Sequence, residues 1–236
     1  MRGITAGDLA AATENARWII DVQRALGLPS EAGLQSMLID QRWLLKSANL
    51  YYLGVHFPIT VGFLAWAWRN HRSKFARVRN ALIATTSAGL VIHVLYPLKP
   101  PRMMNGFVDT GALLGPDPYS LGISGGANQL AAMPSLHVGW ALLIAIGAIW
   151  IGTSRAKWLA LAHPVLTLFA VVLTANHFWV DAIAAAAIVI AAWHFTPTRR
   201  SRTSGRPSTA SPPALDPCRT QSFTCTNPEV SATMTR

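Results

Sequence analysis

The chain has 236 residues, of which 51% are apolar and only 13% charged, and its mean hydropathy is +0.31. A charged fraction this far below the roughly 25% of an average soluble domain excludes disorder throughout and speaks against a charge-rich soluble nucleic-acid binder. Lys and Arg still outnumber Asp and Glu by 20 to 10, and a net charge of +10 on an apolar chain belongs in the loops that set membrane topology.

Residues 1–50 precede the long apolar runs, and they lack the apolar core of a signal peptide. Trp18, Ile19, Val22 and Leu26 recur at helical spacing. So do Leu34, Met37, Leu38, Trp43 and Leu45, with Asp40, Arg42 and Lys46 between them. Gly27-Leu28-Pro29-Ser30-Glu31 separates the two groups. Two amphipathic helices are expected over 9–48, lying on the membrane or packed on a bundle.

Five stretches are long and apolar enough to span a bilayer: 51–68, 80–97, 135–152, 158–175 and 179–195. Each is near the short end of the window of about 17–25 residues for a crossing helix. Tyr51, Tyr52, Trp66, Trp68, Trp158, Trp179 and Trp193 sit near their ends, as interfacial anchoring requires. Backbone polar groups at membrane depth leave helices as the expected structure. The expected fold is therefore all-α, a polytopic membrane bundle over 51–195 with five spans. About half of residues 196–236 are Ser, Thr or Pro, so this basic tail is expected to be disordered. Its Cys218 and Cys225 fit no zinc pattern and read as free thiols. The tail also lacks the interleaved aromatics of a single-strand binder, so no nucleic-acid partner is expected.

The basic excess falls in alternate connections. Arg69, Arg72, Lys74, Arg77 and Arg79 follow the first span, Arg155 and Lys157 follow the third, and six Arg lie in the tail. By the positive-inside rule these face the cytoplasm, and the loop 98–134 and the turn 175–179 face outward. An odd number of spans with the tail inside puts the N-terminus outside. For a chain without a signal, that creates the expectation that an upstream span is missing.

Ionisable groups at membrane depth default to functional candidates. His71 and His194 fall at cytoplasmic ends, where solvated roles suffice. His56 and His163, beside Pro58 and Pro164, read as packing hydrogen-bonders, and His93 reads as structural too. His137, His177 and Asp181 differ. His137 opens the third span. His177 and Asp181 open the fifth, at an i,i+4 spacing that puts them on one helix face. One span inward and one outward separate the two histidines, so both return to the same rim. Lys99 and Arg102 leave the second span on that side as well.

Two imidazoles, a carboxylate and two cations suit phosphoryl transfer without a metal or other cofactor. One imidazole attacks phosphorus, and a carboxylate on its far nitrogen holds the tautomer and stabilises the resulting cation. The other imidazole, with an unperturbed pKa of about 6.5, protonates the leaving alkoxide. Lys and Arg bind the non-bridging oxygens. Two other readings use the same chain. His137, His177 and Asp181 could be three ligands of Zn²⁺, although no His-Glu-x-x-His supports a protease. A non-enzymatic scaffold or transporter subunit would instead act through its basic tail.

Pro134-Ser135-Leu136-His137 and Asn176-His177-Phe178-Trp179-Val180-Asp181 resemble the Pro-Ser-x-His and His-x-x-x-Asp motifs of the type 2 phosphatidic acid phosphatase superfamily. Pro100-Pro101-Arg102-Met103 and Met133 to Trp140 are similar to its inositol phosphorylceramide synthase-like branch. The resemblance covers about residues 14–195. It implies a six-helix bundle with His177 as nucleophile, Asp181 as its orienter and His137 as proton donor. Arg102, Lys99 and Ser135 would bind the phosphate of a lipid phosphate or phosphodiester substrate. Three features depart from the family. Lys99-Pro-Pro-Arg102 replaces its Lys-x₆-Arg-Pro motif, Ala170-Val171 replaces a Ser-Arg pair, and the first span is absent. The long loop 98–134, with Pro116, Pro118, Gly122, Gly125 and Gly126, suits a lid.

Overall fold

Helix α1, Ala6–Ala25, presents Ala12, Ala16, Ile19 and Gln23 on one buried stripe. It ends where Gly27 takes φ +69, a left-handed conformation that costs glycine nothing. The Gly27 N–H then reaches the Arg24 carbonyl at 3.1 Å and the Leu28 N–H the Gln23 carbonyl at 3.0 Å, closing the helix end. Helix α2, Glu31–Leu38, is capped by Ser30, whose hydroxyl accepts from the Gly33 N–H at 3.2 Å.

These details come from a computed structural model that describes residues 6–115 and 129–197. The expected tail disorder, Cys218 and Cys225, and the prolines and glycines of the expected lid lie outside the described residues. Within them the fold is helical, with no strand.

Helix α3, Arg42–Leu50, continues through a wide π turn, Tyr51–Val55, into α4, His56–Asn70. Pro58 accounts for the wide turn. It has no N–H to offer the Gly54 carbonyl, and its ring crowds that oxygen. The second N-terminal helix expected from the sequence therefore divides. The chain turns at 39–41, and α3 is the start of one apolar helix of 29 residues, Arg42–Asn70.

Helix α5 is Arg72–Leu95, and the short α6 is Thr110–Leu114. Helix α7 is Leu136–Ile151, α8 is Ala162–Leu173 after a 3-10 stretch Arg155–Leu161, and α9 is Trp179–Phe195. Among the described residues three helices are long and apolar enough to cross a membrane: Arg42–Asn70, Arg72–Leu95 and Arg155–Leu173. The other two expected spans are the apolar helices α7 and α9, of 16 and 17 residues. At 1.5 Å per residue these are about 24–26 Å long, against a hydrocarbon core of about 30 Å.

Helix α7 is apolar all round because it is the central helix, packed on α4, α5, α8 and α9. Gly147 lets its neighbours approach closely: a Cβ there would lie 3.1 Å from the Phe63 ring and 3.2 Å from Val78. Gly147→Leu is expected to destabilise the bundle by about 1–3 kcal/mol through overpacking. A lowered thermal midpoint in detergent would register it, and an unchanged midpoint would contradict this packing. Large apolar side chains such as Val61, Val94, Leu166 and Ile190 are exposed on the outward faces, as in a surface made for lipid.

The two ends of the bundle differ. At one, the Arg77 guanidinium lies 5.4 Å from the Trp150 ring and 4.3 Å from the Trp193 ring, and it donates to the Trp193 carbonyl at 2.9 Å. At the other, α5 ends and α7 and α9 begin, and the histidines gather.

Candidate active site

Two backbone segments meet at that second end. The Leu98 N–H donates to the Leu130 carbonyl at 2.7 Å, and the Ala132 N–H to the Leu98 carbonyl at 3.3 Å. This short ladder lays Lys99 to Arg102 beside Ala132 to His137. Beneath it Ala16, Ile19, Leu98, Ala132 and Phe178 form one buried cluster.

The α8–α9 turn is held at many points. Ala175 adopts φ +53, which costs a residue bearing a Cβ about 1–2 kcal/mol. The turn persists because its neighbours fix it. The Asn176 and His177 N–H groups both reach the Val171 carbonyl, at 2.9 and 3.2 Å. The Asn176 side-chain amide donates to Thr174 Oγ1 at 2.7 Å.

His177 is buried at the end of this turn. Its Nδ1 lies 2.8 Å from the Ala132 carbonyl and 3.4 Å from Asp181 Oδ2. A carbonyl can only accept, so Nδ1 carries the proton, and in the neutral ring the lone pair is then on Nε2. The sequence put His177 and Asp181 on one helix face. In the structure His177 precedes α9, and only Asp181 is helical. The reason is local: Asp181 Oδ2 accepts from the Phe178 N–H at 2.9 Å, so the helix starts beyond His177. Asp181 is fully buried, and its Oδ1 has no hydrogen-bond partner among the described residues.

His137, in the first turn of α7, is half-buried, its ring centroid 6.3 Å from that of His177. Tyr52 lies at 4.4 Å, His56 at 5.0 Å and Phe57 at 5.5 Å from it. The row continues inward. His56 stacks on His163 at 5.2 Å, and His163 Nδ1 meets the Tyr51 hydroxyl at 2.7 Å. His56 and His163, expected to be packing residues, thus adjoin the site. His93 supports it from below: its Nε2 donates to the Pro134 carbonyl at 3.0 Å.

The Arg102 side chain is 5% exposed and lies against the turn that carries His177. Its Nη1 donates to Asn176 Oδ1 at 2.9 Å, its backbone N–H to the Ala175 carbonyl at 2.7 Å, and its Nε lies 3.6 Å from Asp109 Oδ2. Lys99 is half-buried on the ladder, its N–H donating to the Ala12 carbonyl at 3.2 Å. Ser135 is fully buried, its hydroxyl 3.5 Å from the Val138 N–H as the cap of α7. Among the described residues no three His, Cys, Asp or Glu side chains gather closely enough to hold a metal ion.

Four contributors were not singled out from the sequence. The Ala132 carbonyl left no signal, because backbone acceptors have none. Asn176 stood beside His177 but had no assigned role. Gln23 had a signal, a polar residue on the stripe of Ala12, Ala16 and Ile19. Glu31 stood only in the break between the two N-terminal groups, and it is 4% exposed.

Burial holds the Glu31 carboxyl above the usual carboxylate range, and the nearby Asp181 charge adds to this. Hydrogen bonds from the Trp179 backbone and the Gln23 side chain act in the opposite direction. The folded state therefore keeps the Glu31 proton to higher pH than the unfolded chain does. The stability this group contributes is complete below its ordinary value of 4.5 and is lost as pH rises through the folded value. The thermal midpoint of the wild type, relative to Glu31→Gln, is expected to fall as pH rises from about 4.5 toward neutrality. Parallel profiles for the two proteins would contradict this.

Compared with known protein families, residues 17–195 match the one described as the PAP2 superfamily. No curated protein and no solved structure matches the chain.

Proposed function

From the premise that the chain belongs to the PAP2 superfamily, a family match that points to a phosphatase-type membrane protein, we propose that it is an integral-membrane lipid phosphatase or phosphotransferase working through a phosphohistidine. Its substrate is a lipid phosphate or phosphodiester. The observation that carries this reading is the 2.8 Å bond from His177 Nδ1 to the Ala132 carbonyl. It leaves Nε2 as the nucleophilic nitrogen, with a second imidazole one ring away.

In the first step Nε2 attacks phosphorus, the P–O ester bond breaks, and His137 gives its proton to the departing alkoxide. In the second step water or an alcohol attacks the phosphohistidine, the P–N bond breaks, and the attacking oxygen's proton returns to His137. Asp181 stabilises the positive charge that the phosphorylated imidazole carries. Arg102, Lys99 and Ser135 are the phosphate-binding set. Arg102 is best suited, because its guanidinium lies on the residue next to the nucleophile.

The motif Pro100-Pro101-Arg102-Met103 favours the inositol phosphorylceramide synthase-like branch, and with it transfer of a head group over hydrolysis. The reading includes five crossings, α7 and α9 among them. It puts the site on the extracytoplasmic face of the cell membrane, with the basic connection 69–79 and the tail in the cytoplasm. The test is a panel of lipid phosphates and phosphodiesters, presented to the purified protein with and without an added alcohol lipid. Turnover that survives EDTA, with phosphate recovered on a lipid, supports a metal-independent transferase. Free phosphate alone makes the protein a phosphatase. Activity that vanishes with EDTA and returns with Zn²⁺ would overturn the phosphohistidine scheme.

A further inference from the structure

The first N–H groups of a helix have no partner within the helix. In α9 three of them find a side-chain oxygen. The Phe178 N–H donates to Asp181 Oδ2 at 2.9 Å, the Trp179 N–H to Glu31 Oε1 at 3.0 Å, and the Val180 N–H to Gln23 Oε1 at 3.1 Å. The last two acceptors come from 148 and 157 residues away in sequence. The Gln23 side chain also hydrogen-bonds Glu31, which joins the two acceptors. The Trp179 indole donates to the Pro29 carbonyl at 2.9 Å. Gln23 and Glu31 are each 4% exposed.

This arrangement does more than end a helix. Phe178 at the N-cap offers no side-chain oxygen, so the capping usually supplied by a local Ser, Thr, Asp or Asn is shared out to α1 and α2. The capped turn is also the one that carries the pair. His177 precedes the first capped residue, and Asp181 follows the last. A rotation of α9 about its axis would change the 3.4 Å contact between them and the approach of His177 to His137.

We propose that Gln23 and Glu31 are positioning residues of the catalytic centre, clamping the start of α9 so that His177 and Asp181 hold their register with His137. The clamp rests on the reading of His177 as nucleophile. Residues of the N-terminal helices, outside the bundle that carries the motifs, are then part of the enzyme's catalytic geometry. Misplacement of a reacting group by about 1 Å can cost about 10²-fold in rate, and that sets the scale.

The experiment compares Gln23→Leu, Glu31→Ala and Glu31→Gln in the full chain, purified in detergent, on a lipid phosphate that the wild type turns over. Gln23→Leu and Glu31→Ala are expected to lower kcat by about 10–100-fold with KM within about twofold. Glu31→Gln keeps an oxygen for the Trp179 N–H and is expected to stay within about threefold of wild type. Hydrogen exchange at the Trp179 and Val180 amides should quicken in the first two variants and not in the third. Unchanged kcat in folded Gln23→Leu and Glu31→Ala would overturn the proposal. A Glu31→Gln as damaged as Glu31→Ala would overturn it too, since the charge rather than the hydrogen bond would then matter. Should either disruptive variant fail to fold, Gln23→Asn, which withdraws the acceptor by one methylene, carries the same kcat and exchange criteria. If the wild type turns over no lipid phosphate or phosphodiester, the functional reading fails separately. The exchange measurement then still decides the clamp: faster exchange supports it, and unchanged exchange overturns it.

Discussion

Replacing His177 with Ala is expected to reduce turnover of a lipid phosphate or phosphodiester by roughly 10⁴-fold or more, because in the proposed mechanism it removes the atom that bonds to phosphorus. The loss belongs in kcat, since the phosphate-binding groups remain. The fold should survive with a modest penalty. The Ala132 carbonyl loses its partner at 2.8 Å, which costs about 1–3 kcal/mol for a buried acceptor, while its own N–H keeps the Leu98 carbonyl. A variant that unfolds at nearly the wild-type temperature yet retains substantial activity would remove His177 from the mechanism.

Asp181→Asn is expected to cost less, about 10²–10³-fold in kcat. In a triad where the carboxylate alone fixes the histidine tautomer, the same change costs about 10⁴-fold. Here the nearer partner of His177 Nδ1 is the Ala132 carbonyl at 2.8 Å, with Asp181 Oδ2 at 3.4 Å. The tautomer survives the substitution, and an Asn oxygen can still accept from the Phe178 N–H. What is lost is the negative charge that, in the proposed mechanism, faces the phosphorylated imidazole. A loss as deep as that of His177→Ala would mean the carboxylate sets the tautomer after all. An unchanged kcat would reduce Asp181 to a helix cap.

Both expectations depend on geometry that the sequence only partly held. The apolar runs were legible because burial of a helical backbone in lipid demands length and composition, which a sequence displays directly. The runs at 135–152 and 179–195 fold as Leu136–Ile151 and Trp179–Phe195, with Ser135 capping α7 and the Asp181–Phe178 bond opening α9; the run at 51–68 instead lies within a helix of 29 residues. The joining of α3 to α4 was hidden because Arg42 and Lys46 made 42–50 read as part of an amphipathic segment, whereas the helix runs on from Arg42 to Asn70.

The pairing of His177 with Asp181 could be read from their spacing, but the backbone acceptor that dominates it could not. Arg102 and Asn176 are 74 residues apart, and only the folding of two loops onto each other makes them neighbours. Gln23 and Glu31 illustrate the opposite case. Their signal was present, a polar residue on an apolar stripe and an acid opening a helix. Each has a common bland explanation, and only the burial of both at the start of α9 removes it.

The proposed mechanism requires a covalent intermediate at one nitrogen. The most direct measurement is rapid quenching of the purified protein during turnover of a lipid substrate labelled with ³²P, followed by peptide mapping. An acid-labile, alkali-stable label is expected on the peptide bearing His177, absent from His177→Ala. Turnover of the labelled substrate with no protein-bound label, or with the label on another residue, would contradict it.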